Sequence, residues 1–212
     1  MKASNYKYLI TIIFIFYAEQ MVAKDRIIIN FESPPSLNQE AKLIQNIKNY
    51  NSVQNIDNYL TQQSWIENFL IKSSFSGKFH QIFIQSKKPK YVWKDKFYID
   101  SQISTFAYDG GYPDLIRLEM PLEYLTLWIK AENQYITLFN DSSLSLRSVG
   151  FQPAVGWYLL ANNALRVNLG DDLSNETYQK LSLTLKYMFE NNLTPSIIDL
   201  RYKAGAALNY GK

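Results

Sequence analysis

The chain has 212 residues, of which 47% are hydrophobic and 15% aromatic, so it can bury one large core or two small ones and is not a disordered chain. Its net charge of +3 is too small to indicate nucleic-acid binding. It contains no cysteine, which excludes disulfides, thiolate catalysis and cysteine-ligated zinc.

A short apolar run lies near the N-terminus. Residues 1–7 carry Lys2 and Lys7, and residues 8–23 are almost wholly apolar apart from Glu19 and its neighbour. A membrane-spanning helix needs about 20 apolar residues, whereas the apolar part of a signal peptide has about 7–15. We predict a membrane anchor or an uncleaved signal-like segment, because no clean cleavage site follows; a cleaved signal and a buried strand stay open. The lysines before the run keep residues 1–7 in the cytoplasm.

Residues 25–88 are predicted to form one domain with the order β-α-α-β-β. The elements are a strand at 27–31, a helix capped by Ser36 or Asn38 with apolar positions from 41 to 50, a helix at 55–62, and strands at 69–73 and 80–85. This order resembles that of a POTRA domain. The chain departs from the POTRA pattern because it lacks the glycine after the first strand and the acidic residue after the third.

Residues 89–212 are predicted to form a second, larger domain that is mostly antiparallel β-structure with two or more helices. The predicted elements are strands at 91–93 and 97–100, a helix from 122 to about 139, and strands at 144–151, 156–161 and 165–169. Asn162 and Asn163 predict a tight hairpin turn, because asparagine tolerates a positive φ. No composition typical of a flexible linker separates the two domains.

The most specific pattern begins at Leu165 and continues to the C-terminus. Gly170 ends the strand at 165–169, and Asp171, Asp172 and Ser174 are residue types that cap a helix. One helical stripe follows at Tyr178, Leu181, Leu185, Met188 and Phe189. A strand at 197–202, a break at 203–205 and a short strand ending in an aromatic residue complete the pattern.

Two sequence pieces in this region, Asp199-Leu200-Arg201-Tyr202 and Gly205-Ala206-Ala207, resemble the end of the periplasmic domain of the bacterial cell-division FtsQ/DivIB family. The order of elements extends the resemblance over nearly the whole chain. It implies an α+β fold in which a membrane-proximal POTRA module precedes an FtsQ-type β domain. It also implies a non-enzymatic divisome scaffold, single-pass in the inner membrane with its bulk in the periplasm at the division septum. Such a scaffold links early and late division proteins by binding FtsB and FtsL.

The resemblance places the partner-binding site at the last strand. An edge strand leaves backbone N–H and C=O groups unpaired, and a partner can add a further strand there. The implied partner-binding residues are Arg201, Tyr202, Ala204, Gly205 and Tyr210. Two alternatives stay open: Arg201 pairs with a carboxylate of its own domain, and the two tyrosines are ordinary sheet-face aromatics beside a glycine turn. Tyr210 stands where the family usually has tryptophan.

Few residues point to catalysis or metal binding. His80 is the only histidine, which excludes histidine triads and multi-histidine metal sites. Asp171 and Asp172 lie at a predicted helix start, where capping explains them better than acid–base chemistry. Gly110 and Gly111 lack the following lysine and hydroxyl of a phosphate-binding loop. We therefore predict no enzyme activity, cofactor, metal or small-molecule substrate.

Two other classes of protein stay open. One is a POTRA-containing protein of outer-membrane assembly or secretion, although such proteins usually carry several POTRA modules and this sequence predicts one. The other is a secreted ligand-binding protein or hydrolase released by signal cleavage. An N-terminus that begins at Met1 and is retained in membranes would exclude the second class.

Overall fold

The structure is a computed structural model that describes residues 26–50, 52–77, 79–203 and 205–211. The predicted cytoplasmic segment at 1–7 and the predicted anchor at 8–23 lie outside these residues. In the part of the chain that the structure describes, no helix combines the length and apolar composition of a membrane span. The chain divides into two compact units between Lys87 and Lys88, each with helices and strands, so the α+β fold class is confirmed.

The first unit is a three-stranded sheet with two helices. Its elements are β1 (Arg26–Ser33), α1 (Leu37–Ile47), α2 (Val53–Thr61), β2 (Ile66–Ser73) and β3 (Phe79–Ser86). The strand order is β1-β3-β2, with β3 parallel to β1 and antiparallel to β2. This β-α-α-β-β arrangement is the one that the sequence predicts for a POTRA-like module.

Helix capping and apolar stripes explain why the helices of the first unit form where they do. Ser36, rather than Asn38, caps α1 and makes a capping box with Gln39, and Ser52 caps α2. The apolar side chains that the unit buries almost completely, each at most 2% exposed, come from both helices and from alternate positions of β3: Leu43, Ile47, Ile56, Leu60, Ile82 and Ile84. These spacings are the helical and strand periods that the sequence shows.

The second unit is built on a nine-stranded sheet with two helices. Its elements are β4 (Pro89–Trp93), β5 (Phe97–Asp100), β6 (Thr105–Ala107), β7 (Ile116–Glu119), a 3-10 turn (Leu122–Tyr124), α3 (Leu125–Asp141), β8 (Leu146–Gln152), β9 (Gly156–Ala161), β10 (Arg166–Gly170), α4 (Asn175–Glu190), β11 (Ile197–Asp199) and β12 (Ala207–Asn209). The strand order is β12-β11-β10-β9-β8-β7-β4-β5-β6. Five of the eight strand pairings are antiparallel, so the sheet is mostly antiparallel, as predicted.

Three predicted details of the second unit differ from the structure. The strand predicted at 197–202 ends at Asp199, because its pairings with β10 and β12 both stop there and the Asp199 carboxylate accepts the N–H of Arg201. In the β9–β10 hairpin the positive φ belongs to Ala164, at 65°, whereas Asn163 uses its side chain to accept the N–H of Leu165. Phe189, which the sequence places in the inner stripe of α4, is 48% exposed.

One face of the nine-stranded sheet is buried under α3 and α4. The core combines residues of both helices with every second residue of the strands, including Trp128, Tyr135, Phe139, Leu181, Leu185, Leu118, Val149, Leu159, Val167 and Ile198. Because successive strand residues point to opposite faces, the register that buries these positions also fixes which residues occupy the helix-free face.

A polar row crosses the helix-free face from β7 to the end of β11. We define it as Glu119, Tyr158, Arg166, Asn168, Asp199 and Arg201. The Tyr158 hydroxyl donates to Glu119 at 2.7 Å, and the Arg166 guanidinium lies 4.1 Å above the Tyr158 ring. Nε of Arg166 donates to Oδ1 of Asn168 at 2.9 Å. Burial and the bond to Glu119 together raise the pKa of Tyr158 to about 12.

Gly150 makes this polar row possible. It lies on β8 directly opposite Tyr158 of β9 and Glu119 of β7. A Cβ atom built on Gly150 would lie 2.2 Å from the Tyr158 ring, so the ring occupies the space above the glycine. Tyr158 can therefore reach across β8 to Glu119 only because position 150 has no side chain.

A buried carboxylate joins α3 to β4. Glu132 is 6% exposed, and the Lys90 ammonium and the Tyr91 hydroxyl both donate to its carboxylate. Burial, reinforced by Glu132, raises the pKa of Tyr91 far above its usual range, so this hydroxyl stays a donor. Burying a carboxylate away from water costs free energy unless hydrogen-bond donors and a counter-charge such as these compensate it.

Replacing Glu132→Gln is expected to lower the free energy of unfolding by about 2–3 kcal/mol, because Lys90 loses its counter-charge and Tyr91 loses a charged acceptor. Urea unfolding followed by tryptophan fluorescence measures this change. The matched control is Glu190→Gln, whose ion pair with Lys186 has both side chains at least 60% exposed. The control is expected to change stability by less than about 0.5 kcal/mol, and equal losses in the two variants would contradict the role of Glu132.

Candidate partner-binding edge

Strand β12 lies at one end of the nine-stranded sheet. It pairs antiparallel with β11, with Leu208 opposite Ile198. Among the described strands, none pairs with its other side. The backbone groups on that side are therefore open to a strand from another chain. The strand has three residues, so the open edge is short.

The structure places the predicted aromatic residues on either side of this strand, on the surface. Tyr202 precedes β12 and is 59% exposed, and Tyr210 directly follows it and is 56% exposed. Ala204, the fifth predicted site residue, lies outside the described residues. Exposed aromatic rings such as these offer large contact areas to a partner.

Gly205 lies in the connection between β11 and β12. Its φ is 128°, a conformation that residues with a Cβ rarely adopt. A Cβ built on this glycine would have no atom within 4 Å, so packing in the free chain does not require glycine. Its role in the free chain is to let the connection turn into β12.

Arg201 pairs within its own domain in the free chain. Its Nε donates to Oδ1 of Asp199 at 2.9 Å, and its second amino group donates to Oδ2 at 2.6 Å. The Arg201 side chain is 44% exposed and that of Asp199 is 15% exposed. The bonds from Arg201 lower the pKa of Asp199 against the opposing effect of burial. The structure therefore shows the alternative in which Arg201 pairs with a carboxylate of its own domain, and part of the Arg201 side chain still faces solvent.

An apolar groove runs between α4 and β12. It has a volume of about 310 Å³, and its walls are formed by Lys180, Leu183, Thr184, Tyr187, Gly205, Ala206 and Leu208. Leu183 is 68% exposed and Tyr187 is 57% exposed. Large apolar side chains that lie together on the surface often mark a docking site.

The sequence prediction did not include Leu183 and Tyr187. The signal for them was present, because they lie four residues apart on α4 and outside the stripe at Leu181, Leu185 and Met188. A second apolar stripe on one helix indicates a second contact surface. Its position beside β12 follows only from the folded sheet.

His80 and Asp172, to which the sequence gives no catalytic role, make hydrogen bonds within the fold. His80 is 4% exposed, and its Nδ1 lies 2.8 Å from the Ser73 hydroxyl. Asp172 accepts the N–H of Ser174 and the hydroxyl of Thr177 at the start of α4, and these bonds lower its pKa. In the described ranges, no group of three or more histidine or acidic side chains is placed to hold a metal ion.

Two curated proteins are similar to the chain over most of its length. Cell division protein FtsQ of Vibrio cholerae is 22% identical over 155 residues, which are 69% of this chain and 56% of that protein. The chain is therefore similar in sequence to a protein named FtsQ. Cell division protein FtsQ of Aliivibrio fischeri is 20% identical over 166 residues, or 74% of this chain and 62% of that protein. No protein-family model matches the chain.

The predicted resemblance to the FtsQ family is thereby confirmed. The α+β fold, with a β-α-α-β-β unit before a larger sheet, agrees with a POTRA module followed by an FtsQ-type β domain. The matched part of the chain spans 56% and 62% of the two FtsQ proteins, which is less than two thirds of either.

The Asp199–Arg201 pair is expected to make the stability of the fold depend on pH. Because the pKa of Asp199 is lowered in the folded chain, its contribution is full above the ordinary aspartate pKa of about 3.9 and is lost as the pH falls through the lower folded value. Asp199→Asn should lower the melting temperature by about 2 °C at neutral pH, and this difference should vanish in strong acid. Melting curves followed by tryptophan fluorescence test this, and a difference that grows in acid would contradict it.

Proposed function

We propose that the chain is a non-enzymatic scaffold of the bacterial cell-division machinery. Its similarity to two proteins named cell division protein FtsQ and its family-like C-terminal motifs support this role. In this proposal residues 1–7 are cytoplasmic and 8–23 cross the inner membrane once. Residues 25–88 form the membrane-proximal POTRA domain and 89–212 the β domain, both in the periplasm at the division septum.

We further propose that β12 is the edge to which the division proteins FtsB and FtsL bind, so that the chain links early and late division proteins. The observation that carries this proposal is the arrangement at β12: an edge open on one side, an exposed tyrosine before and after it in sequence, and an apolar groove beside it. A partner strand could pair with the backbone of β12 while its alternate side chains enter the groove.

Side chains must supply much of the binding energy at this edge. A three-residue strand offers few backbone hydrogen bonds, and each contributes only about 0.5–1.5 kcal/mol net. Burying an exposed aromatic ring contributes more, and aromatic residues are frequent binding hot spots. Tyr202, Tyr210 and the groove residues Leu183 and Tyr187 are therefore the expected source of affinity and of selectivity.

Tyr202→Ala and Tyr210→Ala are each expected to weaken binding of the periplasmic parts of FtsB and FtsL from the same organism by about 2 kcal/mol, roughly 30-fold in Kd. Titration calorimetry with the full 212-residue chain measures the change. The matched control is Phe97→Ala, because Phe97 is 40% exposed on β5, near the other end of the strand order. Unchanged Kd in both tyrosine variants, or an equal loss in the control, would contradict this site.

Ending the chain at Lys203 is expected to abolish capture of FtsB and FtsL while the sheet stays folded. This truncation removes β12 but keeps Ile198 and Leu200, which are 0% and 3% exposed in the core. Pull-down measures capture, and circular dichroism with tryptophan fluorescence measures folding. Equal capture by both lengths would place the interface elsewhere, and no capture by the full chain at about 10 μM would contradict FtsB and FtsL as partners.

A further inference from the structure

Lys180 joins α4 to the connection between β11 and β12. Its ammonium donates to the backbone carbonyl of Leu200 at 3.1 Å and to that of Tyr202 at 2.7 Å. A lysine ammonium has three donors, and hydrogen bonds from a charged donor are stronger than neutral ones. One side chain of the helix thus holds two carbonyl groups of the connection.

The two carbonyls that Lys180 holds lie in differently restrained parts of the connection. Leu200 is already fixed to the sheet, because its N–H donates to the carbonyl of Asn168 at 2.9 Å. Tyr202 lies farther along the connection, on the surface, and is followed by Gly205, whose φ of 128° belongs to a conformation that glycine tolerates best. The bond from Lys180 to the Tyr202 carbonyl therefore restrains the exposed part of the connection.

Lys180 also forms part of the wall of the groove beside β12. The same groove is bounded by Leu183 and Tyr187 from α4 and by Ala206 and Leu208 from the edge. The Lys180 ammonium donates its hydrogen bonds to the connection that leads into that edge. These hydrogen bonds therefore set the spacing between the helix wall and the strand wall of the groove. The width of the groove depends on this spacing.

We propose that Lys180 is a positioning residue for the docking edge: by holding the carbonyls of Leu200 and Tyr202, it orders the connection and β12 and fixes the groove for an incoming strand. The consequence for binding rests on the proposed function. We call the two hydrogen bonds from Lys180 to the carbonyls of Leu200 and Tyr202 the clamp. The clamp is a property of the free chain, so it can be tested without a partner.

The test compares three variants of the full 212-residue chain by amide hydrogen exchange. Lys180→Met keeps the apolar stem and removes the donors, and Lys180→Arg restores donors that can reach two carbonyls. The matched control is Lys186→Met on the same helix, because Lys186 is 71% exposed and its ion pair with Glu190 is long, at 3.9 Å.

Lys180→Met is expected to speed exchange in residues 205–209 about tenfold and to leave residues 146–161 in β8 and β9 unchanged. Lys180→Arg should exchange within about twofold of the natural chain, and Lys186→Met should not differ from it. Unchanged exchange in Lys180→Met would overturn the clamp. Equal acceleration in β8 and β9 would also overturn it, because that result indicates general destabilisation.

A second measurement separates the clamp from the docking site. Capture of the periplasmic parts of FtsB and FtsL should weaken about tenfold in Lys180→Met and recover in Lys180→Arg, since a disordered edge must first be ordered to bind. Faster exchange with unchanged capture would keep the clamp and overturn β12 as the docking edge. Weakened capture with unchanged exchange would overturn the clamp and keep the docking edge.

Discussion

Burial of one face of the nine-stranded sheet under α3 and α4 is the constraint on which the second unit depends. It requires Leu118, Val149, Leu159, Val167 and Ile198 to face the helices, and a one-residue slip of any strand would turn its apolar side chain to solvent. The same register sends the polar row to the opposite face. The three-residue strand β12 lies at one end of the same sheet.

The local elements could be predicted because their signals are local. The capping serines, the stripe at Leu181, Leu185 and Met188, and the alternation in β3 and β10 each act within a few residues. The strand expected at 197–202 is longer than β11, because the end of β11 is set by where its pairings with the distant segments β10 and β12 stop. The order of the nine strands likewise depends on pairings between distant segments, which periodicity does not contain.

The candidate site comes from family resemblance rather than from residue chemistry. In the structure Tyr202 and Tyr210 are exposed and Gly205 has a positive φ in the connection to β12, and the binding of a partner there stays a prediction. The groove and Lys180 were not predicted, because Leu183 and Tyr187 become a surface only when α4 packs beside β12. The bond from Lys180 to Tyr202 spans 22 positions of sequence and depends on the folded backbone.

The polar row affects how favourably two copies of the chain can pack face to face. Glu119, Arg166, Asp199 and Arg201 alternate in sign along one face, and each already has a partner within the sheet. A second copy pressed against this face would remove water from charges that are already paired within the sheet, and that desolvation costs free energy. Stacking of two copies through this row therefore gains less than stacking through an apolar face of the same size.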